Sequence, residues 1–381
     1  RRLFYNAPFP YPQQSMLRFR NTLSGRVEEF RPMKDGEASF YYCGPTVWNY
    51  GHIGNFRSGV AADIVRRYLK FKGYKVTHVM NITDVDDRII SEAQKAGLSI
   101  DDYTAQYIDA YWEDFDALGC ARPEVVPRAT RHIPEMAAII EKLISSDHAY
   151  RSDDSIYYRI ASFPSYGKLS KINFAGNIAG ASERVDTDKY EKEDARDFAL
   201  WKGPASDTEP AWDTSIGRGR PGWHIECSAM AGRYLGPGFD IHGGGEDLIF
   251  PHHENEIAQS EGATGEPFAR YWLHNAFLEL KGEKMAKSVG NVVSPRELLR
   301  RHRGVVLRYA LLGAHYRSPL EFSEEVLADA AASYDRLATF ATNAARVEHT
   351  DERRAAIARG VAAELGPLVN TQGKPEVGPF A

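Results

Sequence analysis

Residues 38 to 73 contain a strand, a glycine turn and a helix in succession, and this order constrains the fold more than any other feature of the chain. A largely apolar run, Ala38 to Cys43, predicts a buried strand that ends at Gly44. After Tyr50-Gly51-His52-Ile53-Gly54-Asn55, apolar residues recur at helical spacing until Gly73. Such a turn directs backbone N–H groups and the positive end of a helix dipole at an anion, as in many sites that hold nucleotide phosphates.

The same alternation returns further along the chain, and it predicts an α/β fold built on a parallel sheet. A second apolar stretch, from Tyr74 to Ile82, leads into an acidic segment and another helix. Strands are expected again around 239 to 242 and from Tyr271 to Leu280. The first of these runs into Gly243-Gly244-Gly245 and Asp247. Glycines let a nucleotide approach the backbone, and a nearby carboxylate accepts hydrogen bonds from ribose hydroxyls.

The regions around these strands have other patterns. Helical spacing from Asp101 to Leu118 and from Ile133 to Leu143 gives way, between 155 and 212, to short strands and polar loops. We therefore expect an insertion that interrupts a nucleotide-binding domain. Further on, Ser294-Pro295 predicts the start of a helix, and Ser323 to Arg346 is a further amphipathic helix.

Composition limits the class of protein. The 381 residues exceed one simple core, so two or three domains are expected, and the 43% of hydrophobic residues is ordinary for a globular protein. Three widely spaced cysteines make no disulfide framework, which favours a reducing, cytoplasmic compartment. No apolar run is long enough to span a bilayer. The net charge of −5 excludes a general attraction to nucleic acid, so such binding needs a local basic patch.

Residues 223 to 256 contain side chains with the spacing of a metal site. On a helix, positions i and i+4 share a face, so His252 and Glu256 can direct an imidazole nitrogen and a carboxylate at one point. The two residues that follow His252 are expected to face elsewhere. Cys227 offers a thiolate, and Cys43, at the end of a predicted strand, is a fourth donor of a kind that Zn²⁺ accepts. Isolated cysteines are also typical of buried hydrophobic positions, so the spacing leaves both interpretations open.

Basic residues cluster after 280. Lys284 and Lys287 lie on a short glycine-flanked loop, where they could neutralise a phosphate chain, although a lysine pair is commonly only solvated surface. A dense run of arginines follows: Arg296, Arg300, Arg301, Arg303, Arg308 and Arg317. Such a run is either a contact for nucleic acid or a solvated helix face.

Six separated motifs agree with one known family. They are Cys43 to Val47, His52 to Asn55, Asn81 to Asp87, Gly222 to Met230, Asp240 to Gln259, and Lys284 to Ser288. Together they resemble cysteinyl-tRNA synthetase, a class I aminoacyl-tRNA synthetase, over most of the chain from Met16 to Arg346. The resemblance implies a Rossmann-like catalytic domain with a parallel sheet, an inserted connective region and a partial C-terminal α-helical domain.

The resemblance also divides the chain. The implied parts are a leader of unknown role (1–15), the first half of the catalytic domain (16–118), the connective insertion (119–221), the second half of the catalytic domain (222–290), a helical region that contacts the tRNA stem (291–322) and a partial anticodon-binding helical domain (323–381). Only the first part of that last domain, from Ser323 to Leu365, matches the family.

The implied function is ATP-driven activation of L-cysteine and its transfer to the 3′ end of tRNA(Cys). The resemblance implies a cytoplasmic monomer with one Zn²⁺ and with Mg²⁺ that arrives with ATP. The implied zinc ligands are Cys43, Cys227, His252 and Glu256. The implied catalytic residues are His52, Asn55, Lys284 and Lys287. The implied ATP contacts are His52, Asn55, Gly243, Gly244, Gly245, Asp247 and Lys287. The implied cysteine contacts are Cys43, Gly44, Thr83 and Trp223.

Two positions depart from the usual class I signatures. Asn55 stands where histidine is common, and Ala286 stands where serine is common. Asparagine keeps a hydrogen-bond donor but cannot become cationic, and alanine loses one hydroxyl group. We expect slower chemistry at worst, because His52, Lys284 and Lys287 remain.

Two other functions fit the same motifs. A related cysteine ligase of mycothiol biosynthesis resembles the synthetase in fold, zinc site and adenylate chemistry, but it joins cysteine to an amino sugar. The arginine run argues against that ligase, because it suits a tRNA stem. A truncated paralogue that binds tRNA or cysteine without catalysis is the third alternative, and the two signature departures favour it.

Overall fold

The computed structural model describes residues 16–172, 196–206, 208–280, 283–284 and 293–346. The predictions made for the leader (1–15), for Lys287 and Ala286, for the side chain of Lys284 and for the tail after 346 fall outside this description. In chain order the strands are β1 (Arg18–Asn21), β2 (Arg26–Glu29), β3 (Glu37–Tyr42), β4 (Lys75–Met80), β5 (Ala149–Ser152), β6 (Ser155–Tyr158), β7 (Phe198–Lys202), β8 (Trp212–Thr214), β9 (Gly217–Pro221), β10 (Phe239–Gly245), β11 (Ala269–Asn275), β12 (Leu278–Leu280), β13 (Glu283–Lys284) and β14 (Leu320–Glu321). The helices are α1 (Ile53–Phe71), α2 (Asp87–Ala96), α3 (Ile100–Ala117), α4 (Ile133–Ser145), α5 (Trp223–Leu235), α6 (Glu254–Thr264), α7 (Pro295–Arg301), α8 (Gly304–Leu311) and α9 (Glu324–Arg346).

Four parallel strands form the central sheet, in the order β11-β10-β3-β4. From β3 the chain passes to β4 on one side, whereas β10 and β11, from much later in the sequence, lie on the other side. The direction of strand order therefore reverses between β3 and β10. Ligands of such sheets bind at the carboxyl ends of the strands beside a reversal. The predicted α/β fold with a parallel sheet is confirmed.

Both faces of this sheet are covered by helices. Along β3, Phe40 and Tyr42 pack into one core with side chains of α1, α3 and α8, whereas Tyr41 packs into a second core with α4, α5 and α6. Neighbouring residues of a strand point to opposite faces, so a strand buried on both sides is apolar at consecutive positions. This explains why the run from Ala38 to Cys43 is largely apolar.

The sequence predicts one strand from Tyr271 to Leu280, but this is wrong, because the structure has two. β11 ends the central sheet at Asn275, and β12 begins at Leu278 in a separate sheet of order β13-β12-β14. Between them, the N–H of Ala276 donates to the carbonyl of Tyr316 at 2.8 Å. The chain therefore turns toward a segment 40 residues away, and a local pattern contains no sign of that contact.

The segment between 149 and 221 forms an antiparallel sheet of order β5-β6-β7-β9-β8. It contacts the start of α2, where the carboxylate of Asp87 accepts a hydrogen bond from Arg220 and lies 3.3 Å from Lys202 Nζ. These ion pairs fix the antiparallel sheet against the loop that follows β4. Among the described helices, none combines the length and the apolar composition needed to cross a bilayer.

Candidate metal centre and active site

Four elements bring the predicted metal ligands together at the carboxyl end of β3. Cys43 directly follows β3, where its N–H donates to the carbonyl of Gly243 on β10 at 3.0 Å. Cys227 lies in the second turn of α5, and Glu256 lies in the first turn of α6. His252 belongs to an irregular turn, 249 to 253, that leads into α6. The ligand atoms of these four side chains all lie within 4.8 Å of one another.

The separations fit one small ion. A tetrahedral Zn²⁺ with ordinary bond lengths places two sulfurs about 3.8 Å apart, a sulfur and an oxygen about 3.5 Å, and a nitrogen and an oxygen about 3.3 Å. Here Cys43 Sγ lies 3.8 Å from Cys227 Sγ and 3.7 Å from Glu256 Oε1, and His252 Nε2 lies 3.1 Å from Glu256 Oε1. The two-sulfur, nitrogen and oxygen donor set is also one that zinc accepts.

Without a cation, the burial of these side chains disfavours their charged forms. His252 and Glu256 are 2% and 0% exposed. Burial raises the pKa of the Cys43 thiol well above its usual value, and the neighbouring Cys227 and Glu256 raise it further. Burial likewise raises the pKa of the Glu256 carboxyl and lowers that of His252. A divalent cation would compensate the charged thiolate and carboxylate forms, so the donor set fits a metal.

The prediction that the two residues after His252 face away from the cluster is correct for Glu254 and wrong for His253. Glu254 does face elsewhere, because its carboxylate accepts hydrogen bonds from the N–H groups of Leu169 and Ser170. His253, however, places Nε2 only 3.3 Å from Cys43 Sγ. Positions i and i+3 also share a helix face, so the spacing of His253 from Glu256 was a usable signal for this contact.

His253 and His242 form a second layer around the ligands. His253 Nδ1 lies 2.8 Å from Nε2 of His274, whose Nδ1 lies 2.8 Å from the hydroxyl of Thr22. His242 Nε2 lies 2.8 Å from the second carboxylate oxygen of Glu256. Such hydrogen bonds fix the orientation of metal-binding side chains. Together with Cys43 and Glu256, His242 and His253 also form an alternative set of ligand atoms within 4.8 Å.

A series of hydrogen bonds joins Gly44, which follows Cys43, to Glu226, which precedes Cys227. The N–H of Gly44 donates to Asn81 Oδ1 at 2.9 Å, and Asn81 Nδ2 donates to the hydroxyl of Thr83 at 3.1 Å. That hydroxyl donates to Glu226 Oε2, beside Cys227, at 3.0 Å. Thr83 is only 2% exposed. It therefore lies in the wall that holds Gly44 and Cys227 in place, and sequence reasoning missed Glu226.

Trp223 covers the metal ligands from the outside. Its ring stacks on that of His252, with centroids 4.3 Å apart and planes 25° apart, and the residue is 39% exposed. Trp223 therefore lies partly exposed above the buried imidazole of His252.

The glycine triplet is closely packed, most tightly at Gly243. A Cβ atom on Gly243 would lie 2.6 Å from the ring of Tyr42, and one on Gly244 would lie 3.0 Å from the ring of His253. On Gly245 it would lie 2.5 Å from the carboxylate of Asp247 and 3.9 Å from Ser58 on α1. The end of β10 therefore lies against both the metal cluster and the first helix.

The start of α1 carries the positive end of its helix dipole. His52 is its N-cap, and its first turn, from Ile53 to Phe56, contains no acidic residue that would offset the helix dipole. Asn55 Oδ1 accepts a hydrogen bond from the N–H of His52 at 3.0 Å. Asn55, the third residue of the helix, therefore satisfies the main-chain N–H of the N-cap residue, as the third residue of a capping box does. This is a local structural reason for the departure from the usual signature.

The arginine run is largely engaged within the chain. Arg296 pairs with Glu113 and Asp114 of α3; the other pairs are Arg301 with Glu324, Arg303 with Asp335, and Arg308 with Asp63. A paired guanidinium presents less net charge to a phosphate backbone than an unpaired one. The arginine run therefore supports nucleic-acid binding less strongly than the sequence alone indicates.

Known proteins resemble this chain over most of its length. The family model described as "tRNA synthetases class I (C) catalytic domain" matches residues 29–332. The cysteine–tRNA ligase of Koribacter versatilis (strain Ellin345) is 54% identical over 322 residues, which are 84% of this chain and 64% of that protein. The cysteine–tRNA ligase of Solibacter usitatus (strain Ellin6076) is 53% identical over 85% of this chain and 69% of that protein.

A solved structure supports the fold alone. The methionyl-tRNA synthetase of Mycobacterium tuberculosis, in complex with methionyl-adenylate, aligns with a TM-score of 0.57 at 17% identity, over 77% of this chain and 68% of that one. The chain spans about two thirds of the length of the cysteine–tRNA ligases that it matches. Because the family model covers residues 29–332 and the sequence identity exceeds one half, the chain belongs to the cysteine group of class I aminoacyl-tRNA synthetases.

Proposed function

We propose that the chain activates L-cysteine with ATP to cysteinyl adenylate and transfers the cysteinyl group to the 3′ end of tRNA(Cys). One observation carries this proposal: a largely buried cluster of Cys43, Cys227, His252 and Glu256 lies where strand order reverses, beside the glycine triplet and the start of α1. A thiol-selective metal site next to a nucleotide-phosphate site is what activation of cysteine requires. Family membership supports the same reaction.

The metal would be one Zn²⁺ per chain, held by those four side chains. Zinc bound there would favour the soft thiolate of cysteine over the hydroxyl of serine. A pocket without metal separates substrates that differ by one atom only modestly. Gly44, Thr83 and Trp223 would shape the space for cysteine, with Trp223 at the rim. His242 and His253 would orient Glu256 and Cys43 through the hydrogen bonds described above.

In the activation step, the carboxylate of cysteine attacks the α-phosphorus of ATP, an oxygen–phosphorus bond forms, and pyrophosphate leaves. Positioning and charge stabilisation would carry most of the catalysis. His52 and Asn55 at the start of α1 would contact the phosphates, while Gly243 to Gly245 and Asp247 would hold the adenosine. Lys284 and Lys287 would stabilise the charge on pyrophosphate, and Mg²⁺ would arrive with ATP.

In the second step, a hydroxyl of the terminal adenosine of tRNA takes the cysteinyl group, and AMP leaves. The chain would divide as its family does, with 16–118 and 222–290 forming the catalytic domain and 119–221 the connective insertion. Residues 291–322 would contact the tRNA stem, and 323–381 would begin an anticodon-binding domain. We propose that the protein acts as a cytoplasmic monomer.

The activation step is tested by amino-acid-dependent exchange of pyrophosphate into ATP. Zinc-loaded protein should exchange with cysteine and should discriminate against serine by more than about 10³-fold, beyond the reach of a pocket without metal. Protein stripped by a chelator should lose exchange and regain it with Zn²⁺. Equal exchange with serine, or full discrimination by stripped protein, would contradict the proposed role of the metal.

A further inference from the structure

Arg57 is buried where α1 meets the segments that precede β12 and β14. It lies on α1, two residues after Asn55, and is 2% exposed. Its guanidinium donates to the main-chain carbonyls of Phe277 and, at 2.5 Å, of Ser318. Burial lowers its pKa to about 10, while the nearby Glu246 and Glu279 favour the charged form. At neutral pH Arg57 is therefore a buried cation that is bonded to backbone.

The carbonyls that Arg57 binds lie just before two strands of the small sheet β13-β12-β14. Phe277 directly precedes β12, and Ser318 lies two residues before β14. β12 pairs in parallel with β14 and in antiparallel with β13, the strand that contains Lys284. The carbonyl of Phe277 also accepts from the N–H of Leu320 at 3.2 Å, so one atom joins both strands to Arg57. A shift of Arg57 would therefore move this sheet as a unit.

A second contact joins the start of α1 to the chain before α7. The N–H of Ile53, the first residue of the helix, donates to the carbonyl of Val293 at 2.9 Å. Helix α1 thus holds the chain at Phe277 through a side chain and at Val293 through its own first N–H group. These two contacts lie on either side of Lys284. The contact at Phe277, the residue before β12, ties β12 and its partner β13 to α1.

We propose that Arg57 is a positioning residue that sets the register between the phosphate-facing start of α1 and the strand that contains Lys284. The proposal rests on the proposed function, since it assumes that both elements act on ATP. Among the described residues, the hydrogen bonds of the Arg57 guanidinium go to Phe277, His315 and Ser318, and none goes to the predicted metal ligands. Its loss should therefore affect adenylate formation and leave binding of metal and cysteine unchanged.

A lysine at this position tests the role with the smallest disturbance. In Arg57→Lys the ammonium keeps the charge but loses the planar fork that reaches two carbonyls at once. We expect kcat of cysteine-dependent pyrophosphate exchange to fall about 10- to 100-fold, as misplacement of catalytic groups by about 1 Å does. The KM for cysteine and the zinc affinity in chelator competition should change less than about twofold.

Arg66→Lys is the matched control. Arg66 lies on the same helix, its side chain is 11% exposed, and it forms two hydrogen bonds to Glu124, away from the small sheet. Its replacement should leave kcat, the KM for ATP and the metal affinity near those of the unchanged protein. Thermal melting of both variants shows how much of any loss follows from the fold.

The outcomes separate the two proposals. If the unchanged protein shows no exchange, the proposed function fails. If the unchanged protein, Arg66→Lys and Arg57→Lys all show normal exchange, the positioning role fails. Two further outcomes would overturn the positioning role, because Arg57 would then serve the fold alone. One is a loss of kcat in Arg57→Lys that disappears at a lower temperature. The other is the unfolding of both Arg57→Lys and Arg57→Gln.

Discussion

Replacing Gly44 by alanine should damage the metal centre far more than its small size suggests. Gly44 directly follows the ligand Cys43 and lies against the loop after β4. A Cβ atom at this position would lie 1.7 Å from the carbonyl oxygen of Asn81 and 2.9 Å from its carbon. These are backbone atoms of a buried residue, so no side-chain rotation can relieve the overlap.

The size of the effect follows from these distances. Contacts of a real Cβ atom are essentially never shorter than 3.0 Å, so the two loops must separate by at least about 1.3 Å. Metal sites tolerate ligand displacements of about 0.2 Å. Since Cys43 precedes the displaced residue, its sulfur can no longer keep its place near Cys227. We expect zinc affinity to fall more than about 10²-fold, which removes about 2.7 kcal/mol of zinc-linked stabilisation.

The assay is competition for Zn²⁺ with a chromophoric chelator, combined with melting in the presence and absence of the metal. Gly304→Ala is the matched control, because its Cβ would lie 1.8 Å from the carbonyl oxygen of Ala117, a clash of the same size at the junction of α3 and α8. Gly304→Ala should lower the melting temperature and keep the zinc affinity. Unchanged zinc affinity in Gly44→Ala, or equal losses in both variants, would refute the reasoning.

Three other substitutions test separate parts of the account. Cys227→Ser should lose both tight zinc binding and the preference for cysteine over serine in pyrophosphate exchange; full discrimination without metal would count against it. Lys287→Ala should slow exchange by about 10²-fold if that lysine stabilises the departing pyrophosphate, and an unchanged rate would exclude the role. His78 is buried, and neither of its ring nitrogens has a hydrogen-bond partner among the described residues. Burial lowers the pKa of His78 to about 3; Arg66 and Lys70 also lower this pKa, whereas Glu124 raises it. Because its folded pKa lies below its unfolded value, His78 disfavours the folded state progressively as the pH falls below about 6.5. Between pH 8 and pH 4.5, urea titration should show that the free energy of unfolding falls by about 2–3 kcal/mol more in the unchanged protein than in His78→Leu, and parallel losses would contradict this.

Much of the fold could be predicted because its signals are local. The apolar run before Cys43, the glycine turn and the helical spacing up to Gly73 correspond to β3, the loop after it and α1. The break between β11 and β12 could not be predicted, because it follows from contacts of Ala276 and Phe277 with segments distant in sequence. Long-range hydrogen bonds of this kind override a local strand pattern.

The site likewise combines residues that local spacing predicts and residues that only long-range packing brings together. The spacing of His252 and Glu256 predicted a shared face, and the structure places their ligand atoms 3.1 Å apart. The contact of His253 with Cys43 could have been found from its i,i+3 spacing with Glu256. His242 and His274 could not, because they approach the cluster from β10 and β11, through the packing of the central sheet. The roles of all these residues in catalysis remain predictions.

The acceptor of the activated cysteine is the most direct test of the central claim. Zinc-loaded protein, ATP and labelled cysteine would be incubated with tRNA(Cys) or with an amino-sugar acceptor, and pyrophosphate exchange would be followed in the same preparation. The account predicts exchange together with transfer of label to the 3′ end of the tRNA. Exchange with transfer to the sugar alone would contradict the account and assign the chain to cysteine ligation. Absence of both would identify a binding protein.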